Sequence, residues 1–425
     1  MNIVTVTIVL FGLLILFIAT GLPLAFAFGS LAVVINLWLF GTKHVYLVAS
    51  YAVSEWTNFI IVAVPLFILM ASFLEKSGIA DDLYEMMYRW GGGLRGGLAM
   101  GTVVICAIFA AMSGVSATAT VTMGLIALPS MLKRNYDKFL ATGTISAGGT
   151  LGILIPPSVP MILYASVTGE SVGKLFMGGV LSGVALALIY IAYIGIRSFL
   201  QPELAPALPR EERADWGSKL ASLKAVILPA GLIFLVLGAI YTGAATPTEA
   251  AGIGASGALV CSLARRRLTW QGFVHSLRQT FIITAMCLWI ILGAKFVVHT
   301  YLGLGANDFI LRLVSGLNLN RWVIIGIMQL ILLVLGCFLD PFGIILICTP
   351  IFVPIVKSLG FDTLWFAILF VINLEIGFIT PPFGLNLFFM KAVAPPEVSM
   401  GNIIKASLPF VFLGILGIIV VMLFP

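Results

Sequence analysis

Two short motifs carry the residues best suited to chemistry. Residues 150–158 read TLGILIPPS, and residues 375–384 read EIGFITPPFG. Each sets a proline pair inside an apolar run. Proline has no N–H, so a pair removes two helical donors and bares carbonyls in the preceding turn. Bared carbonyls inside a membrane protein can coordinate a small cation. A second break lies upstream of each pair: Ser113-Gly114-Val115-Ser116 in one case, Gly336 to Asp340-Pro341-Phe342-Gly343 in the other. Ser113 and Ser116 can add hydroxyl oxygens at the first break, and Thr380 can add one at the second. Half-helix N-termini at the same places turn partial positive charge toward an anion. One break can therefore hold an alkali cation and part of an anionic substrate, and two breaks point to two cation sites.

The elements that position these motifs follow from their apolar surroundings. The chain has 425 residues, of which 61% are hydrophobic and 9% charged. A water-soluble domain carries roughly 25% charged residues, so this chain expects lipid as its solvent. Its apolar runs reach the ~20 residues that cross a bilayer as a helix. They do not alternate as β-barrel strands do. Spans are expected at 3–20, 22–40, 57–74, 139–168, 174–198, 224–242, 248–264, 280–301, 362–391 and 403–424. Residues 3–20 read as a first span and not as a signal peptide, because no basic segment precedes them. The stretches 97–132 and 321–357 are too long for one crossing, and each is broken near its middle. A hairpin entering and leaving on one side keeps the basic flanks (Lys76, Arg89, Arg95, Lys133, Arg134, Lys138) with Arg197, Arg210, Arg213 and Arg265-Arg266-Arg267 in the cytoplasm. That count puts the second hairpin on the opposite side and both termini in the periplasm. Segments 79–90 and 268–279 are amphipathic and suit the membrane interface.

Aligned on the prolines, Gly152 matches Gly377, Ile155 matches Thr380, and Pro156-Pro157 match Pro381-Pro382. A broken hairpin followed by a proline-broken helix thus occurs twice. Inverted repeats with interrupted helices characterise secondary transporters. The plainer reading of either motif alone is a kinked helix whose Ser and Thr bond back to the backbone; repetition at matching positions weighs against it.

Ionisable groups at membrane depth are costly and usually functional. Asp340 can cap the helix that Pro341 begins, can ligate directly, or can do both. Glu375 can carry protons or brace the broken helix, with bracing favoured. Asn386 can donate its amide to backbone or substrate. Lys295 is expected to snorkel, and His299 is a weaker proton-relay candidate. Trp38, Trp56 and Trp90 suit the interfacial belt. The five cysteines sit unpaired in apolar runs, as inert thiols do. Neither a GxxxxGK[ST] loop nor an HExxH, CxxC or Ser–His–Asp constellation is visible. Net charge is +6, yet no basic stripe stands clear of the membrane, so nucleic acid is not an expected partner.

The motifs SGVSATATVTMG (113–124), GGTLGILIPPS (148–158), GCFLDPFG (336–343) and NLEIGFITPPFGLNLF (373–388) together resemble the large membrane subunit of tripartite ATP-independent periplasmic (TRAP) transporters, along essentially the whole chain. The resemblance implies an all-α polytopic protein of the bacterial inner membrane. It would be an elevator-type transporter with an inverted repeat of two re-entrant hairpins and two broken helices. Residues 1–75 would be scaffold helices and 76–96 an interfacial segment. Residues 97–170 would form the first transport unit (hairpin 97–132, broken helix 139–168). Residues 171–300 would be scaffold with a cytoplasmic linker at 201–222. Residues 301–394 would form the second unit (hairpin 321–357, broken helix 362–391), and 395–425 a C-terminal helix. It implies sodium coupling with two or more Na+ ions. The first site would use Ser113, Ser116, Gly152, Ile155 and Pro157; the second would use Gly336, Gly377, Thr380 and Phe383, mostly through main-chain oxygens. Gly114, Thr118, Pro156, Ser158, Asp340, Glu375, Pro381, Pro382 and Asn386 would support the breaks or touch substrate. Implied partners are a small membrane subunit of about four helices, a periplasmic substrate-binding protein, a small organic anion (carboxylate or sulfonate) and membrane lipid. A single-component sodium/dicarboxylate symporter is the alternative, and a non-transporting structural subunit a more distant one.

Overall fold

The computed structural model describes residues 3–42, 46–316 and 319–424. Among these, the regular elements are all helical, and twenty are α-helices, numbered here in chain order. Six helices are long and apolar enough to cross a membrane. Large apolar side chains point outward from them, such as Leu181 on α10 (Val172–Leu200), Phe234 on α12 (Lys224–Tyr241) and Phe412 on α20 (Met400–Leu423). Such a surface suits lipid and not water.

The centre of the bundle is built from the two proline-broken helices. The first comprises α8 (Lys138–Leu154) and α9 (Val159–Thr168); the second comprises α18 (Thr363–Ile379) and α19 (Leu385–Val393). Every residue from Leu140 to Leu154 is buried, and so is every residue from Trp365 to Ile379. The first break is itself buried, whereas Pro382 and Phe383 of the second are exposed. Backbone without helical partners is tolerated at membrane depth only inside protein or against a wet cavity. Two helical hairpins flank this centre: α6 (Gly97–Ser113) with α7 (Ser116–Lys133), and α16 (Arg321–Gly336) with α17 (Pro341–Ser358). Each arm measures about 24–27 Å at 1.5 Å per residue, just short of the ~30 Å hydrocarbon core.

Two further helices lie on this centre. On α10 (Val172–Leu200), Tyr190 and Tyr193 meet Phe410 of α20 (Met400–Leu423) edge-on at 5.3 and 5.4 Å. Gly414 of α20 packs on Ile376 of α18. The remaining long helices form a second group. Ser262 of α13 (Pro247–Ala264) donates to the Phe73 carbonyl of α4 (Ala63–Lys76) at 2.9 Å. Asn36 of α2 (Leu24–Phe40) donates to Thr300 of α14 (Trp270–Gly303) at 3.1 Å. The segment 171–300 therefore divides, with α10 against the broken helices and α12 to α14 in the other group.

Several expectations need correction. The amphipathic stretch 268–279 is no separate interfacial helix. It is the start of α14, because nothing between it and residue 280 breaks the helix, and Ser276 packs on the Ser72 carbonyl at 3.4 Å. The span expected from residue 57 begins at Ala63, after turns. Helices α3 (Tyr46–Trp56) and α15 (Ala306–Gly316) were not anticipated, being short and mixed in polarity. The linker 201–222 is stitched down along its length. Leu208 N donates to Gly92 O at 2.8 Å, Gly96 N to Ala205 O at 3.0 Å, and Asp137 N to Leu204 O at 2.8 Å. Trp90 donates to Lys219 O at 3.0 Å, so its ring serves this strap, whereas Trp38 and Trp56 are exposed. Segment 79–90 is helix α5 (Ile79–Gly91), set at 61° to α4.

Lys295 does not snorkel. Its ammonium pairs with Glu55 at 2.6 Å, with both side chains about four-fifths covered, and ties α14 to α3. Lys295→Met strands the Glu55 carboxylate and should cost about 2 kcal/mol, somewhat less than a fully buried pair. The double variant Glu55→Gln/Lys295→Met should recover most of that loss in thermal unfolding in detergent. A single variant as stable as the parent would show that the pair does not hold these helices together.

Candidate cation and substrate site

The first hairpin tip and the first break meet backbone to backbone. Helix α6 ends at Ser113, Gly114 turns with φ 63°, Val115 is extended, and α7 starts at Ser116. A Cβ on Gly114 would sit 2.2 Å from the Pro157 carbonyl oxygen, so the left-handed turn and the close approach both demand glycine. A Cβ on Gly152 would sit 3.1 Å from the Ser116 nitrogen. The break runs through a cis Pro156–Pro157 bond. Pro156 offers the Gly152 carbonyl no hydrogen, and Pro157 offers none to Ile153. The Ile153 carbonyl is taken by the Ser158 hydroxyl, whose oxygen also caps α9 at Met161 N. Ser113 Oγ reaches the Val115 carbonyl at 3.4 Å. Ile155 is extended and buried. Thr118 lies two residues farther along α7, half-buried.

The second pair repeats the arrangement. Helix α16 ends at Gly336, whose Cα lies so near Gly377 that a Cβ would approach it to 2.9 Å. Gly377 is the residue that matches Gly152. The break contains the cis Pro381–Pro382 bond. The Thr380 hydroxyl donates to the Ile376 carbonyl at 2.7 Å, and its own carbonyl accepts from Gly384 N at 3.1 Å. Phe383 is largely exposed, 5.8 Å from the Phe338 ring. Asp340 accepts from Gly343 N at 3.0 Å, the capping arrangement. That bond uses Oδ1 and leaves the carboxylate at the tip of the hairpin.

Side chains lock the two units to each other. Asn386 of α19 accepts from Thr120 at 2.8 Å and from Ser116 at 3.2 Å, and donates to the Ser146 carbonyl of α8 at 2.6 Å. Its amide is fully buried and bonded to protein at both its oxygen and its nitrogen. Glu375, fully buried, accepts from Thr150 at 3.1 Å. This is the bracing role, and no Lys or Arg pairs with it among the described residues. Asn373 donates to the Gln329 carbonyl at 2.8 Å and its side-chain oxygen at 2.9 Å, tying α18 to α16. Thr120, Thr150, Gln329 and Asn373 escaped the sequence reading. Thr120 had a signal, since it stands one turn after Ser116 on the same face. Gln329 had none.

The donor set is made of neutral oxygens. Among the described residues no three His, Cys, Asp or Glu side chains converge as a metal site. Such a set fits an alkali ion better than a divalent one, which recruits carboxylates. His299 sits within α14, away from either break in sequence.

An all-helical bundle with paired interrupted helices defines a secondary-transporter architecture. Solved structures agree on the fold: the YdaH transporter of Alcanivorax borkumensis superposes with a TM-score of 0.62 at 16% identity, over 97% of this chain and 98% of that one. The family model "Tripartite ATP-independent periplasmic transporter, DctM component" matches residues 11–425, and the chain belongs to this family. The C4-dicarboxylate TRAP transporter large permease protein DctM of Pseudomonas aeruginosa is 37% identical, over 87% of this chain and 85% of its own length. The protein of the same name from Vibrio cholerae is 33% identical, over 98% and 95%. The isethionate TRAP transporter permease protein DctMQ of Oleidesulfovibrio alaskensis is 32% identical, over 95% of this chain and 63% of its own length. The chain is therefore a permease subunit of the inner membrane and not an enzyme.

The glycine contact gives a direct test. Gly336→Ala forces α16 from α18 and should cost about 2 kcal/mol as overpacking. Gly326→Ala, on the same helix with nothing within 4 Å of its added carbon, should be neutral. Equal thermal stability of the two variants would mean that the tip does not press on the broken helix.

Proposed function

We propose that this chain is the membrane permease of a sodium-driven TRAP system that takes up a small organic carboxylate or sulfonate. The observation that carries the reading is the paired apposition of Gly152 with the first hairpin tip and of Gly377 with the second. At each, carbonyls deprived of helical donors face a helix end. Sodium would be held at the first site by oxygens of Ser113, Ser116, Gly152, Ile155 and Pro157, and at the second by Gly336, Gly377, Thr380 and Phe383. The proposed ions supply positive charge where no arginine or lysine stands at either tip or break. Helix N-termini at α7 and α17 add partial positive charge for the substrate anion.

The Thr150–Glu375 contact supports a two-fold relation between the units. These residues occupy the same place, each two before its glycine, and residues that match across a dyad meet on it. In the proposed elevator, α6 to α10 and α16 to α20 move as one body against α1 (Ile3–Ala19) to α4 and α12 to α14. Partners are a small membrane subunit and a periplasmic binding protein, as the family name implies. Relatives named for C4-dicarboxylates, isethionate and ectoine leave the anion open within this class.

Sodium should raise the unfolding temperature of the purified chain where potassium at equal ionic strength does not. Saturation at a hundredfold above Kd corresponds to about 2.7 kcal/mol. Ser113→Ala/Thr380→Ala should weaken this response about tenfold in sodium concentration, a loss of about 1.4 kcal/mol of binding. Uptake into proteoliposomes should need an inward sodium gradient and added binding protein. Uptake without binding protein would favour the single-component symporter, and indifference to sodium in both assays would overturn the coupling.

A further inference from the structure

The outer face of α10 and α20 carries a feature that lies outside the proposed ion and substrate sites. Where α10 runs into the strap at residue 201, a cavity of about 240 Å³ opens between the start of α8, the end of α10 and the start of α20. Asp137, Tyr193, Arg197, Lys405 and Phe410 line it. Arg197 donates to the Tyr193 hydroxyl and lies 5.8 Å from that ring. It has no carboxylate partner among the described residues, and neither has the exposed Lys405. The one acid present, Asp137, is turned into its own helix, accepting from Leu140 N at 2.9 Å. Two cations thus face the cavity against one committed carboxylate.

A second hollow of about 630 Å³ continues from the first, with Tyr193 and Arg197 on the wall of both. Apart from Gln201 at its mouth, its other walls are apolar: Ile189, Ala192 and Ile196 of α10, Leu413 and Leu416 of α20 among them. Ile189 lies about two turns deeper than Arg197, and Leu413 about two turns deeper than Lys405. The groove therefore runs roughly 12 Å along the helices away from the cations. A cationic mouth at the bundle end, with an apolar channel descending on the lipid-facing side, has the shape and polarity of one phospholipid.

We propose that this face binds a phospholipid with an anionic headgroup. Its phosphate sits between Arg197 and Lys405 and one acyl chain lies between α10 and α20. Basic pockets between membrane helices recognise anionic headgroups in this way. A free phosphate would use the cations but not the groove, and a zwitterionic lipid would use the groove but gain less from the cations.

The test is native mass spectrometry of the full-length chain in detergent, supplied with phosphatidylglycerol or phosphatidylcholine of matched acyl chains. The parent should retain phosphatidylglycerol preferentially. Arg197→Gln and Lys405→Gln should each weaken its retention about fivefold. Ala192→Trp, which fills the groove, should reduce retention of both lipids. Lys405 is exposed, so its variant should unfold at the parent's temperature and separates lost binding from lost folding. Equal retention of the two lipids by the parent, or an undiminished preference in the double variant R197Q/K405Q, would overturn the proposal. Displacement of the lipid by glycerol 3-phosphate with A192W without effect would overturn it in favour of a soluble anion.

Discussion

A peptide carbonyl that loses its helical donor inside a membrane must find another partner, because hydrocarbon offers none. That constraint shapes this protein from the centre outward. Pro156-Pro157 and Pro381-Pro382 each remove two donors from a buried helix. The helices that lead into both breaks are covered, with α8 and α18 buried from end to end below their first turn; the first break is itself buried, whereas Pro382 and Phe383 of the second stand exposed. Hairpin tips must then approach the breaks closely enough to exclude lipid from them. Only glycine allows that approach: Gly114 against Pro157, Gly152 against Ser116, and Gly336 against Gly377. The apolar exterior, the buried helices that lead into the breaks and the bare glycine contacts follow from the same requirement.

Closeness alone does not fix geometry, and a polar network supplies the rest. Asn386 is the joint. Its oxygen receives hydroxyls from the first hairpin and its nitrogen reaches the first broken helix, although it belongs to the second. Thr150 and Glu375 join the two broken helices at their matching positions. Asn386, bonded at both its oxygen and its nitrogen, holds one arrangement against alternatives, whereas Glu375 is bonded through one carboxylate oxygen only and its second is buried without a partner. Ser116 belongs to the first proposed ion site and also to the Asn386 joint. A shift at one hairpin tip is thereby mechanically connected to the helix that follows the other break.

Periodicity and punctuation made the breaks legible. Proline pairs, the Ser-Gly-Val-Ser tip and Asp340 before Pro341 are side-chain signals, and each marks a helix end in the structure. Asp340 as a cap and Glu375 as a brace were readable because a buried carboxylate has few roles. The pairing of Asn386 with Ser116 and Thr120 was not, since those partners lie more than 260 residues apart in the chain. Main-chain contacts at Gly152 and Gly377 leave no side-chain trace at all, and the family resemblance pointed to them where composition did not. Lys295 was misread because snorkelling is a property of one side chain, whereas its actual state depends on Glu55 on a helix too short and polar to be noticed. The attachment of the linker 201–222 was hidden for a similar reason. Its prolines and charges mark a polar linker, but they do not show that its backbone is engaged by Gly92, Gly96 and Asp137.

The choice of anion is a different matter, and the structure gives a reason for its silence in the sequence. Recognition by a guanidinium leaves an arginine that can be found by eye and whose planar fork restricts the ligand. Neither hairpin tip and neither break carries one. A site made of helix N-termini, hydroxyls and proposed metal ions offers positive potential without a fixed template. It can serve carboxylates and sulfonates of different shape. Relatives of comparable identity bear the names of a dicarboxylate, a sulfonate and an ectoine permease, which is what a chemically general membrane site allows. Selectivity then has to be imposed where a shaped pocket can close around the ligand, and in the proposed assembly that place is the periplasmic partner. In the proposed mechanism the bared carbonyls couple an ion to an anion, and their lack of side-chain identity is why they do not decide which anion it is.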